Sequence, residues 1–247
     1  MIIFKNEHNS IVFNKPWQET TKHIPDGYFD YVVDDVPYGI NVGKMAFLNE
    51  TKNTTKQKNG SRLSANKNKK VYTLKDWDNS APGQEYFDEM RRISKHQIIF
   101  GVEYVSWNGL GSGRIKWNKG VPEGMSFKDN EMAYCSSINH THEIDLLWAG
   151  MQQAENLKNP MRQQGNKKLN EKRIHPCHKP ILLYKKIAID FELEGKKVYC
   201  GHNGSGSDRI ALYNYASEFV ANEIDKEYFD LQESRFKIHI NQQSLFL

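Results

Sequence analysis

Asp35, Val36, Pro37 and Tyr38 stand where an apolar run, Phe29-Asp30-Tyr31-Val32-Val33-Asp34, comes to its end. A carboxylate, a backbone carbonyl and an aromatic ring at the carboxyl end of a buried strand suit a site that grips a flat, amino-bearing ring. The two acceptors would take the hydrogens of an exocyclic amine, and the aromatic ring would stack on the heterocycle. A nucleobase has that shape and that chemistry.

A second group lies far along the chain. Gly201-His202-Asn203-Gly204-Ser205-Gly206-Ser207 follows the run Lys197-Val198-Tyr199-Cys200, and a helix is expected over about 208 to 215. Small residues let a ligand approach the backbone, a helix start offers N–H groups, and an acid after the next strand can hold two ribose hydroxyls. Glu223, 17 residues beyond Gly206, is placed for that task. An ordinary strand-to-helix turn explains Gly-Ser-Gly alone equally well; the βαβ setting and the acid favour a nucleoside-cofactor site.

Alternating elements must position these two groups. Strands are expected at 28 to 34, 96 to 101, 114 to 117, 131 to 136, 144 to 149, 197 to 200 and 218 to 223. Helices are expected at 86 to 94, where Phe87, Met90 and Ile93 make a stripe, and at 180 to 190, with Pro180 at the first helical position. Buried strands alternating with helices predict an α/β, Rossmann-like domain with a mostly parallel sheet covered on both faces. The 247 residues suit one large domain with insertions, and no internal repeat is apparent.

Net charge is only +4, but the positive residues are clustered. Lys52, Lys56, Lys58, Arg62, Lys67, Lys69 and Lys70 lie in an Asn-, Thr- and Ser-rich stretch, and Arg162, Lys167, Lys168 and Lys172 form a second basic segment. A run of this kind by itself reads as a solvated loop. Two of them around one candidate site point to nucleic acid, because lysines neutralise phosphates without fixed geometry. No apolar run approaches a membrane span and the first residues lack a signal-peptide pattern, so a cytoplasmic setting is expected. Three widely spaced cysteines, Cys135, Cys177 and Cys200, argue against a disulfide framework. His175, Cys177 and His178 have no partner pair at zinc-like spacing, so no metal is expected. Trp107 and Trp148 read as packing residues, and His140 and His142 as part of a polar turn.

Together the motifs resemble the amino-methylating DNA methyltransferases that carry a D-P-P-Y motif and an F-x-G-x-G-type S-adenosylmethionine loop. Asp35-Val36-Pro37-Tyr38 resembles the first and Gly204-Ser205-Gly206 with Glu223 the second. Between them, Trp117-Asn118-Lys119-Gly120, Met125-Ser126-Phe127 and Glu131-Met132-Ala133 are similar to the W-D-K-G segment and its following strand, and His175-Pro176-Cys177-His178-Lys179-Pro180 to H-P-T-Q-K-P. The resemblance spans about 28 to 236. With the catalytic segment ahead of the cofactor segment, it has the circularly permuted order of the β group.

The resemblance implies a single methyltransferase domain over 1 to 247, with DNA-contacting insertions at about 43 to 80 and 150 to 174. It implies S-adenosylmethionine as cofactor, met by Cys200, His202, Gly204, Ser205, Gly206, Glu223, His175 and Lys179. The substrate would be double-stranded DNA with a flipped target base, in a bacterial or phage-infected cell, with a second copy or a restriction-system protein as candidate partner. Asp35 leans toward adenine N6, since relatives acting on cytosine N4 more often carry Ser there; a DNA-binding homologue without transfer activity is the further alternative. The chain departs from the pattern at Val36, where Pro is usual, and at Cys200-Gly201-His202, where Asp-Pro-Phe is usual. That second departure implies that the acid near the cofactor's charged end is missing, with Asp34 and Asp208 nearby but neither at the aligned position.

Overall fold

The structure, a computed structural model, describes residues 8–42, 75, 78–121, 128–149, 152–155, 157 and 170–244. Lys52, Lys56, Lys58, Arg62, Lys67, Lys69 and Lys70, with Met125-Ser126-Phe127 and most of 150 to 169, lie outside the described residues.

Ten strands and five α-helices make up the described chain: β1 (Ser10–Phe13), α1 (Trp17–Thr21), β2 (Phe29–Asp35), α2 (Gln84–Ile93), β3 (Ser94–Phe100), β4 (Arg114–Asn118), β5 (Asn130–Cys135), β6 (Thr141–Asp145), β7 (Leu147–Ala149), β8 (Gln152–Ala154), α3 (Ile181–Asp190), β9 (Lys197–Cys200), α4 (Ser207–Leu212), β10 (Glu218–Asn222) and α5 (Lys226–Ser244). Eight strands form one sheet in the order β1-β10-β9-β2-β3-β5-β4-β6, while β7 and β8 pair separately. β1, β10, β9, β2 and β3 run parallel. β5 runs against both β3 and β4. The mostly parallel α/β sheet is therefore as expected.

Side-chain alternation splits the core into two layers. From β3, β9 and β10, Ile98, Phe100, Val198, Cys200, Phe219 and Ala221 join α3 on one face, and Ile99, Tyr199 and Val220 join α2 on the other. Tyr86, Phe87, Met90 and Ile93 give α2 its buried stripe. Arg92 in its last turn, where a cation suits the helix dipole, donates to the carbonyls of Ile24 and Thr21 at 2.8 and 2.9 Å and anchors the turn before β2.

Four expectations are adjusted. The strand expected at 144 to 149 is two short strands, β6 and β7, separated by Leu146. His142, read as part of a turn, lies in β6 and bonds Asp190 at 2.9 Å. Pro180 is the cap of α3, one residue outside the helix. α4 is only six residues long, because Leu212 already leads into the turn that returns the chain to β10.

Candidate active site

Parallel strands present their carboxyl ends at one edge, and ligands settle where the chain connections diverge. Here that point falls between β9 and β2: the chain leaves β2 for β3 on one side and β9 for β10 on the other. Asp35 ends β2, Gly201 follows β9, and Glu223 follows β10. A cavity of about 400 Å³ opens there, within the usual size of small-molecule sites. Asp35, Val36, Pro37, Tyr38, His175, Lys179, His202, Gly204, Ser205 and Glu223 all line it. Of the residues expected at the two sites, Cys200 and Gly206 do not line it: Cys200 is buried beneath the loop, and Gly206 caps α4 at φ 68°.

On the β2 side, Lys179 is the organiser. Its ammonium donates to Asp35 Oδ1, to the Tyr38 hydroxyl at 2.8 Å and to Glu131 Oε2 at 3.0 Å. Lys119 donates to the other oxygen of Glu131 at 3.0 Å. The Tyr38 hydroxyl lies 3.0 Å from Asp35 Oδ1 and 3.1 Å from Glu131 Oε2, so its single proton serves one carboxylate at a time. Two acids and two lysines thus balance in a nearly dry pocket. Glu131, though buried, is held down at about 2 because both lysines attend it. Asp35 is raised above the usual range, since burial outweighs its share of Lys179 and Glu131 adds repulsion. Asp35 Oδ2 makes no hydrogen bond among the described residues, which leaves an acceptor toward the cavity.

The Tyr38 ring is placed by glycine. Gly101, at φ 89° just after β3, has no Cβ; one added there would fall 2.5 Å from the Tyr38 ring. Tyr104 stacks on Tyr38 with centroids 4.6 Å apart and planes inclined by 12°. Asp78 holds the chain beyond the tetrapeptide, accepting Gly39 N and Val42 N at 2.8 Å each.

On the β9 side the key group is Asp34, whose side chain is fully enclosed. It accepts Asp35 N at 2.9 Å, Gly201 N at 3.1 Å, His202 N at 3.0 Å, His202 Nδ1 at 2.9 Å and Cys200 Sγ at 3.3 Å, together with the Tyr86 hydroxyl. Burial raises its pKa, but His202 and the other donors outweigh that and leave it below the usual value. His202 is correspondingly raised, Asp34 overcoming its desolvation. The loop after β9 therefore does hold an acid, delivered from the neighbouring strand. Gly201 permits this: a Cβ there would lie 2.8 Å from Asp34 Oδ2.

Glu223 accepts Gly204 N at 2.7 Å and Asp225 N at 2.8 Å. Burial outweighs these amides and the nearby His202 and pushes it up to about 7. Asp208, buried behind the loop, is pushed up to about 6 by burial too and accepts Asn203 Nδ2 at 2.8 Å. Asn203 Oδ1 is buried without a hydrogen-bond partner among the described residues.

Sequence reasoning named Asp34 only as a nearby acid outside the aligned position and did not place Asp78, Lys119 or Glu131 in the site. Glu131 and Lys119 stood in quoted motifs, and a buried strand bearing a lone acid beside a Lys-Gly turn was the available signal. Asp78 carried none. Among the described residues, no group of three or more His, Cys, Asp or Glu side chains is arranged to hold a metal ion, and no helix is long and apolar enough to cross a membrane.

No protein-family model matches the sequence, and no curated protein matches it. Solved structures do share its fold. M1.HpyAVI in complex with SAM aligns at TM-score 0.51 and 16% identity, over 91% of this chain and 98% of that one. The cytosine-N4-specific PvuII DNA methyltransferase aligns at TM-score 0.49 and 12% identity, over 95% of this chain and 92% of its own. The chain has the Rossmann-like fold of S-adenosylmethionine-dependent methyltransferases.

Proposed function

We propose that this chain is a DNA methyltransferase that transfers a methyl group from S-adenosylmethionine to adenine N6. The observation that carries the reading is the convergence of Asp35-Val36-Pro37-Tyr38 and the Gly204-Ser205-Gly206 loop with Glu223 on one cavity, although they lie more than 160 residues apart in sequence. The fold shared with M1.HpyAVI, solved with SAM bound, supports it. So does the order of the strands: β2, early in the chain, lies in the sheet beside β9, as the permuted arrangement requires.

The residues fit the cofactor. Glu223 ends a strand with its carboxylate in the cavity, where it can accept two ribose hydroxyls, and Gly204, at φ 52°, leaves room above the backbone. The orphaned Asn203 Oδ1 is an acceptor lacking a donor among the described residues. S-adenosylmethionine supplies the sulfonium methyl group.

The protein's task is then positioning and charge. Adenine N6 is a weak nucleophile because its lone pair is delocalised into the ring. Asp35 Oδ2 and the Val36 carbonyl accept its two hydrogens and turn the nitrogen toward the methyl donor. Asp35, its pKa lifted while Glu131 keeps the charge, takes the proton that N6 sheds; pairs of acids pushed apart in this way mark acid and base roles. Tyr38, one face of which is covered by Tyr104, would offer the base only its other face, and stacking there would help offset the few kcal/mol of pulling a base from the duplex. The basic insertions at about 43 to 80 and 150 to 174, within one domain over 1 to 247, would grip the DNA backbone through Lys52, Lys56, Lys58, Arg62, Lys67, Lys69 and Lys70. Such a substrate ties the reading to the cytoplasm of a bacterial or phage-infected cell, with a second copy or a restriction-system protein as candidate companion.

The test is transfer of labelled methyl from S-adenosylmethionine to unmethylated double-stranded DNA, followed by nucleoside analysis. N6-methyladenine is expected. N4-methylcytosine would move the acceptor to cytosine, and no transfer despite cofactor binding would overturn the enzyme reading in favour of a DNA-binding homologue.

A further inference from the structure

We propose that His202, oriented by Asp34, binds the carboxylate at the amino-acid end of S-adenosylmethionine. The inference rests on the cofactor reading above and assigns the part of that site where this chain departs from the D-P-F pattern.

The sheet sets the cofactor's direction. Along its carboxyl edge the order is β10, β9, β2, so Glu223, His202 and Asp35 follow one another. With ribose at Glu223 and the methyl directed at Asp35, the amino-acid arm leaves the sulfur at the level of the β9 loop. That arm ends in an ammonium and a carboxylate, and the carboxylate needs a cation or strong donor in a cavity whose acids are Asp35, Asp78, Glu85, Asp208 and Glu223 and whose basic side chains are Lys15, His175, Lys179 and His202.

Lys179 is already engaged by Asp35, Glu131 and Tyr38. Lys15 follows β1, at the far edge of the sheet beyond β10, away from β2. His202 is the cation at the right strand. Its Nδ1 is fixed on Asp34 at 2.9 Å, its ring leans on Tyr86 at 5.2 Å between centroids, and its Nε2 makes no hydrogen bond with any described residue. The side chain keeps 21% of its surface open and lines the cavity, while its Asp34 partner has none open. With Nδ1–H given to Asp34, Nε2 carries a proton only in the imidazolium, so it is the charged ring, aimed by Asp34, that offers Nε2–H to the carboxylate.

The phenylalanine usual at this place could not bind a carboxylate, and an aspartate one strand-end earlier would favour the ammonium instead. Moving the acid onto β2 and adding an imidazole reverses the preference of this corner. Asn203 Oδ1, beside it and without a donor, remains available to the ammonium.

Calorimetry of the full chain with S-adenosylmethionine, with its decarboxylated form and with 5′-methylthioadenosine separates the possibilities. The decarboxylated form is expected to bind about 10- to 100-fold more weakly than S-adenosylmethionine, the range of a hydrogen bond to a charged group. His202→Phe should bring S-adenosylmethionine down to that level and leave 5′-methylthioadenosine unchanged, with a thermal melt confirming that the variant folds. His202→Gln, which keeps a donor without charge, should fall between. Equal binding of the carboxylated and decarboxylated forms by the native protein, or an equal loss for all three probes in a folded His202→Phe, would overturn the assignment. Failure of all three to bind the native protein would instead overturn the cofactor reading beneath it.

Discussion

The two sides of the cavity neutralise buried acids by different means. On the β2 side, Asp35 and Glu131 are met by long side chains, Lys179 and Lys119, which arrive from separate parts of the chain. On the β9 side, Asp34 and Glu223 are met mainly by backbone N–H groups, with an imidazole, a phenol and a thiol added at Asp34. Side-chain pairing tunes the charge of an acid without fixing the main chain. Backbone pairing fixes the main chain, and where no cationic side chain bonds the acid burial prevails: Glu223 rises to about 7, whereas Asp34, bonded by His202, stays below its usual value and Glu131 falls to about 2. On the proposed function, the half that would hold the base is suited to proton chemistry and the half that would hold the cofactor to shape.

Asp35→Asn should break the comparison most completely. It keeps the volume and removes the proton acceptor, so methyl transfer should drop by about 10²- to 10⁴-fold, the usual scale for a general base. Cofactor affinity measured by calorimetry should stay within a few-fold. A matching fall in cofactor affinity would mean that the two halves are not separable.

Next in size is Lys179→Met. It leaves Asp35 and Glu131 facing each other in a site where Lys179 itself is only 5% exposed. Removing one partner of a buried ionic group costs about 3–5 kcal/mol. Chemical denaturation should show a loss of that order, with Asp35 protonated and transfer abolished. Adding Glu131→Gln to the Lys179 variant should recover part of the stability, because the uncompensated charge is gone. No recovery would mean that Lys179 acts through packing alone.

How much of this was legible beforehand follows the same division. Asp35, Tyr38, Gly204 and Glu223 were visible because each ends a strongly patterned strand or follows it by a fixed offset. Glu131 and Asp34 were not, because their importance arises from neighbours brought in by sheet pairing: β5 beside β3, and β9 beside β2. The acid that seemed absent at Cys200 lies on a different strand, which no linear alignment can show. β1, α1 and α5 were also missed. In α5 the inward line Tyr228, Gln232, Phe236 is broken by a fully buried glutamine that bonds Arg209 at 3.0 Å, so the apolar stripe that signals a helix is interrupted.

Asp34→Asn sharpens the contrast from the backbone side. An amide keeps one acceptor oxygen, so it serves either the Oδ1 donors, Asp35 N, His202 N and Cys200 Sγ, or the Oδ2 donors, Gly201 N and the Tyr86 hydroxyl, turns its NH₂ on the other set and gives up the charge that holds His202. Cofactor affinity should fall about 10-fold or more, with a stability loss of about 1–3 kcal/mol for the mismatched buried group. The transfer rate at saturating cofactor should change little. A rate loss as large as that of Asp35→Asn would place Asp34 in the proton path and erase the distinction between the halves.

The smallest effect is a pH dependence, and it tests whether burial alone sets the charge of the cofactor half. Glu223 has its folded pKa raised to about 7, with burial the leading cause, the amides of Asp225 and Gly204 and the nearby His202 acting against it, and Asp225 adding repulsion. A ribose held through both hydroxyls needs the carboxylate, so cofactor affinity should climb as pH rises through about 7, by at most tenfold per pH unit below that point. His202 opposes this: its folded pKa is raised above 6.5, so the charge it offers is present at low pH and lost as pH rises through that raised value. It is faced by Asp34 from β2, Tyr86 from α2 and Glu223 after β10, with Asp35 also near, so both limbs belong to this cluster. The native profile should therefore rise and then fall. Glu223→Gln should flatten the rising limb and His202→Phe the falling one, each measured by calorimetry across pH 5.5 to about 9, a span chosen to bracket ordinary and raised histidine values. If Glu223→Gln leaves the rising limb intact, the carboxylate is already ionised well below neutrality, and backbone amides hold its charge as firmly as the lysines hold that of Glu131.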